Sequence, residues 1–445
     1  MRVRAVLGMV LGMVLSIVLV GAVGCVQKPP AEKPSRRVLL IGIDGATLRV
    51  IDPLVRQGRL PHLAAIAREG ASGALRSHYP LLSPRVWNSI ATGKTPKKHG
   101  IGSWTRDDGE GGRELMQSSD RKTHALWNIA SNAGYTVGTV NWLNTYPIEI
   151  VDGIVVSDAA IPGEVRNREM FFARKDAADA ADAPKEGTTF PPGWHERVTE
   201  LRKGPRLFPD WVNPFEGDVD FPAWAFRGLL STAFSNDEII ARIALAVEDE
   251  ISPDLLMVLM PGIDKISHFL WAAMEPASVY PDDLQLTVTQ RETSRSALLA
   301  TYIQADRLIG ELAARFGPDD LVMVVSDHGF EARVIDKHKT TGGHDTANAL
   351  YGVMFARGAG IAPGELVRGV SVNDVTPTIL AWWDMAVGED MDGVPANFLG
   401  VEHPATIATY DTSPIKRAAA VPGASEDAVL EQLRALGYLQ DETDG

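Results

Sequence analysis

The chain has 445 residues, 45% of them hydrophobic, and its formal net charge is −14. This length is sufficient to bury a large core, in one large domain or in roughly two to three ordinary ones. The acidic balance argues against nonspecific nucleic-acid binding, which needs a basic surface, so we expect no nucleic-acid partner. The negative net charge is still compatible with a locally positive cleft that attracts anions.

The N-terminal segment is typical of an exported protein. Two arginines precede an apolar stretch from Ala5 to Gly24, which fits an export signal or a single membrane span. Small residues precede Cys25, the only cysteine, as in a bacterial lipobox. We predict a lipoprotein signal over 1–24 and a lipidated Cys25, which would hold the domain on the periplasmic or extracellular face of a lipid membrane. The alternative is an ordinary cysteine within a transmembrane helix.

A proline-rich run and several apolar runs predict the first structural elements of the chain. The polar, proline-rich residues 25–36 predict a tether, followed by a catalytic domain over 37–445. Arg37 to Asp44 (RVLLIGID) predicts a buried parallel strand, and Pro61 to Glu69 has helical spacing. Ser83-Pro84 is expected to open a further helix, with Ser83 as its N-cap.

Helical and apolar segments then alternate along the chain. The sequence predicts helices over Thr123–Ala133, Leu286–Phe316, Asp374–Trp383 and Glu426–Leu436. It predicts strands over Thr136–Trp142, Asp254–Met260, Leu321–Val325 and Tyr351–Phe355. This alternation predicts an α/β fold whose mostly parallel central sheet carries helices on both faces.

Residues 162–234 interrupt the alternation. The segment is rich in aspartate, proline and aromatic residues, including PPGW, FPDW and FPAW. It is either a surface insertion with local packing or a cap that covers the active site and selects the substrate. We favour the cap, because such insertions grow from loops at the carboxyl edge of the sheet.

Candidate metal ligands follow three of the predicted strands. In open α/β sheets, ligands bind beyond the carboxyl ends of the strands, where acidic side chains and histidines occur here. The residues after these strands are Asp44, Asp264, His268, Asp327 and His328, and a later Gly-rich loop (GGHD) adds His344. Each could be an ordinary turn or helix-face residue, but their conjunction indicates two sites of three ligands. Mixed carboxylate and imidazole ligands suit two divalent ions, Zn²⁺ or, as a competitor, Mn²⁺.

Ser83 is the candidate nucleophile. A serine hydroxyl is weak at neutral pH unless a base or a metal lowers its pKa. At a helix N-terminus, free N–H groups and the helix dipole favour an anionic substrate. The alternative is that Ser83 only caps the helix.

With these residues, the sequence resembles the alkaline phosphatase superfamily, and more narrowly its type I phosphodiesterase/nucleotide pyrophosphatase branch. The resemblance extends from about Val38 to Gly400. The motifs that carry it are LLIGIDGA, LLSPRVWNSIATGKTPKKHGI, MPGIDKISH, VVSDHGF, GGHD and VNDVTPTIL. It implies an alkaline phosphatase-like fold and a metal-dependent phosphoric ester hydrolase, with a phosphodiesterase favoured.

The resemblance also implies roles for individual residues. Asp264, His268 and His344 would hold one metal, and Asp44, Asp327 and His328 the other. Ser83 would attack phosphorus and form a covalent intermediate, although many members carry threonine there. His338 is a weaker candidate than His344, and His99 is expected to be structural.

The contact to the phosphate oxygens is not defined by the motifs. Nucleotide pyrophosphatases place an asparagine soon after the nucleophile, where this chain has Val86. This departure disfavours nucleotide diesters. Arg85, Asn88 and Asn141 are the candidate substrate contacts in its place.

Three other functions are weighed against a phosphodiesterase. A phosphomonoesterase, or a transferase of phospho-headgroups on lipids or glycans, would share the covalent chemistry. A non-catalytic binding lipoprotein is disfavoured, because the ligand set is complete. A sulfatase function is disfavoured, since Ser83-Pro84-Arg85 does not match the C/S-x-P-x-R pattern of sulfatases and no cysteine lies in the domain. The oligomeric state is left open.

Overall fold

The computed structural model describes residues 36–109, 112–161, 187–335 and 340–419. Several predictions fall outside these ranges. They are the signal over 1–24, the lipidated Cys25, nearly all of the tether, His338, the helix over Glu426–Leu436 and the first part of the 162–234 insertion. Among the described residues, no helix combines the length and the apolar character needed to cross a membrane.

The described residues form a mixed α/β fold. The strands are β1 (Val38–Ile43), β2 (Ala71–Arg76), β3 (Thr105–Asp107), β4 (Arg113–Leu115), β5 (Val137–Val140), β6 (Gly153–Val156), β7 (Thr189–Phe190), β8 (Leu255–Met260), β9 (Leu321–Val325), β10 (Glu331–Ile335), β11 (Thr340–Gly343), β12 (Tyr351–Arg357), β13 (Glu365–Val367), β14 (Val387–Gly388) and β15 (Thr406–Ile407). The helices are α1 (Leu48–Arg56), α2 (Pro61–Glu69), α3 (Ser83–Thr92), α4 (Pro96–His99), α5 (Leu126–Asn132), α6 (Trp194–Arg202), α7 (Arg227–Ile251), α8 (Gly262–Leu270), α9 (Val288–Ala313) and α10 (Val375–Trp382).

The central sheet has nine strands in the order β13-β2-β12-β9-β1-β8-β5-β6-β7. Its middle, from β9 to β6, is parallel throughout. Strand β12 runs antiparallel to both β2 and β9, and β7 runs antiparallel to β6. The predicted mostly parallel sheet is therefore confirmed, with antiparallel strands only outside its centre.

Strand β1 shows why the sheet is covered on both faces. All six of its residues are buried. Leu39, Ile41 and Ile43 pack in one hydrophobic cluster with α1, α2, α7 and α9. Val38 and Leu40 pack in the opposite cluster with α3, α5 and α10. A continuous apolar run, rather than an alternating one, is what a parallel strand buried on both faces requires.

The aromatic segment after residue 186 packs into the main core. Strand β7 extends the edge of the central sheet. Phe208, Phe215 and Phe221 are buried in the same cluster as α7 and α9. The expected end of the insertion at Phe234 falls inside α7. Its role as a cap stays a prediction.

Candidate metal centre

The central strands bring the candidate ligands to one edge. Strand β1 lies between β8 and β9, and all three are parallel, so their carboxyl ends lie side by side. Asp44 directly follows β1, and Asp327 follows β9. Asp264 lies in the first turn of α8, just after β8. This is the edge at which open α/β sheets bind ligands.

The six residues form two groups of three. Asp264, His268 and His344 offer ligand atoms that all lie within 4.8 Å of one another. Asp44, Asp327 and His328 form the second such group, and all six side chains are buried. The groups are adjacent, since His328 Nε2 lies 3.4 Å from Asp44 Oδ1 and 4.0 Å from Asp264 Oδ1. These are the same two sets of residues that the resemblance implies, and their role as metal ligands stays a prediction.

Backbone carbonyls orient two of the imidazoles. His268 Nδ1 lies 3.1 Å from the Gly342 carbonyl oxygen, and His328 Nδ1 lies 3.0 Å from that of Gly329. A carbonyl can only accept, so Nδ1 carries the proton and Nε2 carries the lone pair. In both rings Nε2 is the atom that faces the neighbouring aspartate. Such carbonyl contacts are the usual support for metal-bound histidines.

The electrostatics of the cluster call for added positive charge. Burial, followed by the nearby Asp264 carboxylate, raises the pKa of Asp44 to about 8. Burial, followed by the Asp44 and Asp264 carboxylates, raises the pKa of Asp327 well above its usual value. Among the described residues, Asp44 Oδ1, Asp264 Oδ1, Asp327 Oδ2 and His328 Nε2 have no hydrogen-bond partner. Buried polar atoms are seldom left so, and a divalent cation would satisfy all four.

Two residues hold Asp44 and its loop in place. Trp87 of α3 donates a hydrogen bond from Nε1 to Asp44 Oδ2 over 2.9 Å. Gly45 has φ +71°, and a Cβ there would lie 2.9 Å from Asp264 Cα. Only glycine tolerates both this conformation and this close approach, which lets the ends of β1 and β8 come together.

Ser83 lies on a segment that contacts both groups. The backbone of Leu81 interacts with the His344 ring, whose pKa is lowered mainly by burial and then by the neighbouring His328. Trp87, one helical turn after Ser83, reaches Asp44. Ser83 itself is buried, and its side chain makes no hydrogen bond to another described residue. The structure corrects one expectation, because Leu82 is the N-cap of α3 and Ser83 is the first helical residue, without a capping hydrogen bond.

The three candidate substrate contacts make their recorded hydrogen bonds to residues other than the six candidate ligands. Asn88 is fully buried, and its amide donates to the Pro84 carbonyl and to Asn144. Asn141 follows β5 and donates to the Leu259 carbonyl of β8 over 2.9 Å. Arg85 donates to the Tyr79 carbonyl over 3.2 Å. Asn88 thus uses both amide N–H groups for internal structure, whereas Asn141 uses one of its two; their contact with substrate stays a prediction.

His99 has the structural position expected of it. Its Nε2 lies 3.0 Å from Ser89 Oγ, and its Nδ1 accepts the Ile101 N–H. Burial lowers its pKa to about 3.

Sequence reasoning missed two charged neighbours of the cluster. Asp237 of α7 accepts a hydrogen bond from the Gly262 N–H at the start of α8, the helix that carries Asp264. Lys265 lies near Asp44. Burial lowers the pKa of Lys265 to about 7, and the Asp44 carboxylate partly opposes this shift. Lys265 could have been noticed inside MPGIDKISH, whereas Asp237 has no local signal in a long helix.

The family of the chain follows from a comparison with protein-family models. The model described as type I phosphodiesterase/nucleotide pyrophosphatase matches residues 38–364. The chain belongs to this family. The match spans the strands that carry all six candidate ligands. No curated protein matches the sequence significantly.

Solved structures share the fold at low sequence identity. A 2-O GAG sulfatase has a TM-score of 0.52 at 12% identity, with 84% of this chain and 76% of that chain covered. Human ectonucleotide pyrophosphatase/phosphodiesterase 5 has a TM-score of 0.46 at 12% identity, with 80% and 97% covered. Phosphonoacetate hydrolase from Sinorhizobium meliloti 1021, in complex with phosphonoacetate, has a TM-score of 0.41 at 16% identity. The alignment covers 69% of this chain and 60% of that hydrolase. The sulfatase has a TM-score above 0.5, and at 12% identity its likeness supports the fold alone.

Proposed function

We propose that this protein is a metal-dependent phosphoric diester hydrolase that acts through a covalent intermediate on Ser83. The observation that carries the proposal is the pair of buried three-residue groups at the carboxyl edge of the sheet. Family membership supplies the reaction class, since the matched family is that of type I phosphodiesterases and nucleotide pyrophosphatases.

Two divalent cations fit the residues present. Asp264, His268 and His344 would hold one, and Asp44, Asp327 and His328 the other. We propose Zn²⁺, with Mn²⁺ as the competitor, because the donors mix imidazole nitrogen with carboxylate oxygen. When bound, such ions lower the pKa of a nearby hydroxyl and offset negative charge on phosphoryl oxygens.

Ser83 supplies the nucleophile. The bond from its Oγ to phosphorus forms while the bond from phosphorus to one ester oxygen breaks, so one alcohol leaves and a phosphoserine diester remains. Water then attacks the same phosphorus, the Ser83 Oγ–P bond breaks, and the serine recovers its proton as the phosphate monoester leaves. The buried position of Ser83 at the start of α3 leaves its hydroxyl free of a capping role.

A preference for diesters follows from the charges around this centre. A monoester carries an additional negative charge, which enzymes usually offset with an extra cation. Arg85, the arginine nearest to Ser83 in sequence, lines a cavity that none of the six candidate metal ligands lines. Lys265 lies near Asp44, but burial lowers its pKa to about 7, so it carries only part of a charge at neutral pH.

The test compares a nitrophenyl phosphodiester with the corresponding monoester. We expect a higher kcat/KM for the diester, and no hydrolysis of either after exhaustive chelation. Asp327→Ala and His344→Ala should each lose one equivalent of bound metal. Full activity after chelation would overturn the metal-dependent mechanism. A clear monoester preference that is lost in Lys265→Met would overturn the diester preference and assign the charge partner to Lys265.

We also propose that the domain is held at the cell envelope by a lipidated Cys25. The support is the sequence around Cys25 and the polar, proline-rich tether that follows it. Cys25→Ser should abolish lipid labelling and leave the precursor unprocessed. A wild-type protein that carries no lipid and retains the segment through Gly24 would instead favour a membrane span.

A further inference from the structure

A cavity of about 460 Å³ lies beside α3, and none of the six candidate metal ligands lines it. Its volume is within the range of about 300–1,000 Å³ that is typical of small-molecule sites. The residues that give it its chemistry are Arg76, Ser77, His78, Arg85, Lys97 and Asn373. They come from the end of β2, from α3, from α4 and from the turn before α10.

Three cationic side chains border this cavity without a carboxylate partner. Arg76, Arg85 and Lys97 form no ion pair with another described residue. Their neighbours do: Lys94 pairs with Asp390, and Lys98 pairs with Asp392 at 2.7 Å. In a protein whose net charge is −14, three cations around one cavity, with no ion-pair partner in the described part of the chain, are a concentrated positive region. A cavity with walls of low dielectric strengthens the attraction of such charges for an anion.

Buried polar atoms of the same cavity also have no partners among the described residues. They are Ser77 Oγ, His78 Nδ1, Arg85 Nε and Asn373 Oδ1. Ser77 is 4% exposed and Asn373 is 8% exposed. Buried polar groups are normally hydrogen-bonded, so a cluster of four such atoms in one cavity indicates a ligand that would satisfy them. Ser77 Oγ and Arg85 Nε can donate to an anion. Ser89 Oγ donates to the Arg85 carbonyl, so His78 Nε2 donates to Ser89 and His78 Nδ1, like Asn373 Oδ1, can accept from a hydroxyl group.

Asp374, which follows the cavity residue Asn373, is engaged in contacts outside the cavity. Asp374 follows Asn373, and its Oδ2 accepts hydrogen bonds from the backbone N–H and the hydroxyl of Ser371. Its Oδ1 accepts from the Val394 N–H over 2.8 Å. Both carboxylate oxygens are therefore engaged in holding the turn before α10.

The cavity and the metal centre lie on different sides of α3. Residues four apart share one face of a helix, whereas residues two apart point in nearly opposite directions. Trp87 contacts Asp44, which places the Ser83 and Trp87 side towards the metal ligands. Ser89, four residues after Arg85, contacts His78 of the cavity at 2.9 Å between Oγ and Nε2.

We propose that this cavity is a second, metal-independent binding site for a small hydroxylated oxyanion, such as the phosphate monoester of a polyol. Arg76, Arg85 and Lys97 bind the oxyanion, with Ser77 Oγ as a further donor. Asn373 Oδ1 accepts a hydrogen bond from a hydroxyl of the ligand. The same phosphate chemistry could come from a soluble molecule or from a phospholipid headgroup.

The test is calorimetric titration of the full-length, chelator-treated protein in detergent with inorganic phosphate and with glycerol 3-phosphate. Without metals, phosphate cannot be held by the Asp and His groups, so this result does not depend on the proposed catalytic function. We expect saturable binding of one equivalent, tighter for glycerol 3-phosphate. Vesicles that contain phosphatidic acid are titrated in parallel, and competition by them would assign the headgroup as the source.

The decisive variant is Arg76→Gln/Lys97→Gln, because both side chains are exposed and their removal should leave the fold intact. Loss of two charge contacts should weaken binding roughly tenfold or more. The matched control is Lys98→Gln, an adjacent lysine that pairs with Asp392 and does not line the cavity. If chelation unfolds the protein, the metal-loaded form serves, and the double variant should bind one phosphate fewer than wild type. Equal affinity in wild type and double variant, or no binding at millimolar phosphate, would overturn the proposal.

Discussion

Trp87→Phe should weaken metal binding at the proposed site of Asp44, Asp327 and His328 without abolishing the fold. The indole N–H donates to Asp44 Oδ2 over 2.9 Å, and the hydrogen bond is one of the causes that lower the pKa of Asp44 against burial. A hydrogen bond to a charged group contributes about 1.5–3 kcal/mol. The bond is also present without metal, so only part of this energy bears on binding; loss of an outer-shell partner typically lowers metal affinity about 10- to 100-fold. The fall should be larger at acidic pH, because a more basic Asp44 holds its proton against the metal.

The control for this variant is Trp127→Phe. Trp127 is equally buried, and its Nε1 also donates to a carboxylate, Glu149 Oε2, at 2.7 Å, but Glu149 is not a candidate ligand. Both variants should lower the free energy of unfolding, whereas only Trp87→Phe should change the affinity measured by competition with a metal chelator. Wild-type affinity for both metal equivalents in Trp87→Phe would refute the positioning role of Trp87.

Three further predictions follow from individual contacts. Ser83→Ala should lower kcat by several orders of magnitude with unchanged metal content, and unchanged activity would remove Ser83 from the mechanism. Glu149→Ala should destabilise the protein by about 3–5 kcal/mol in chemical denaturation. The variant leaves the buried Arg121 without the carboxylate that it pairs with at 2.5 Å in the wild type. An unfolding midpoint equal to that of the wild type would contradict this. Burial lowers the pKa of His78 to about 4 and of His99 to about 3, from 6.5. The unfolded state therefore binds more protons, and stability should fall as pH drops from 6.5 towards 4. His99→Gln should flatten that fall, and an unchanged slope would contradict it.

The fold class could be predicted because apolar runs bounded by helices identify buried parallel strands. Strand β9 and helix α2 have the predicted bounds, and β1 and β8 differ by a residue or two. The order of the strands in the sheet could not be predicted, since hydrophobic periodicity does not indicate which strands pair with each other. Strand β12 illustrates this: its sequence predicts a strand, but only the structure shows that it inserts antiparallel between β2 and β9.

The candidate ligands were identifiable because they follow apolar strands, and the carboxyl ends of parallel strands meet at one edge. The supporting contacts were not identifiable, because they depend on side-chain direction. Trp87 looks like an ordinary apolar residue of α3, yet it donates to Asp44. Arg85, a candidate substrate contact by its closeness to Ser83 in sequence, points instead to the Tyr79 carbonyl and the separate cavity.

Helix α3 links the two sites that the structure places around it. Ser83 and Trp87 belong to the side of the metal centre, and Arg85 belongs to the side of the cavity. The Tyr79 carbonyl that Arg85 contacts is on the segment leading to Leu81, whose backbone interacts with His344. An anion that draws the Arg85 guanidinium into the cavity would therefore act on the segment that positions the His344 ring. A loss of activity in Arg85→Ala would not by itself assign Arg85 to substrate binding, because the same change removes a cavity cation. Only a phosphate titration of the metal-free variant separates the two roles, since the proposed substrate site needs the metals and the proposed anion site does not.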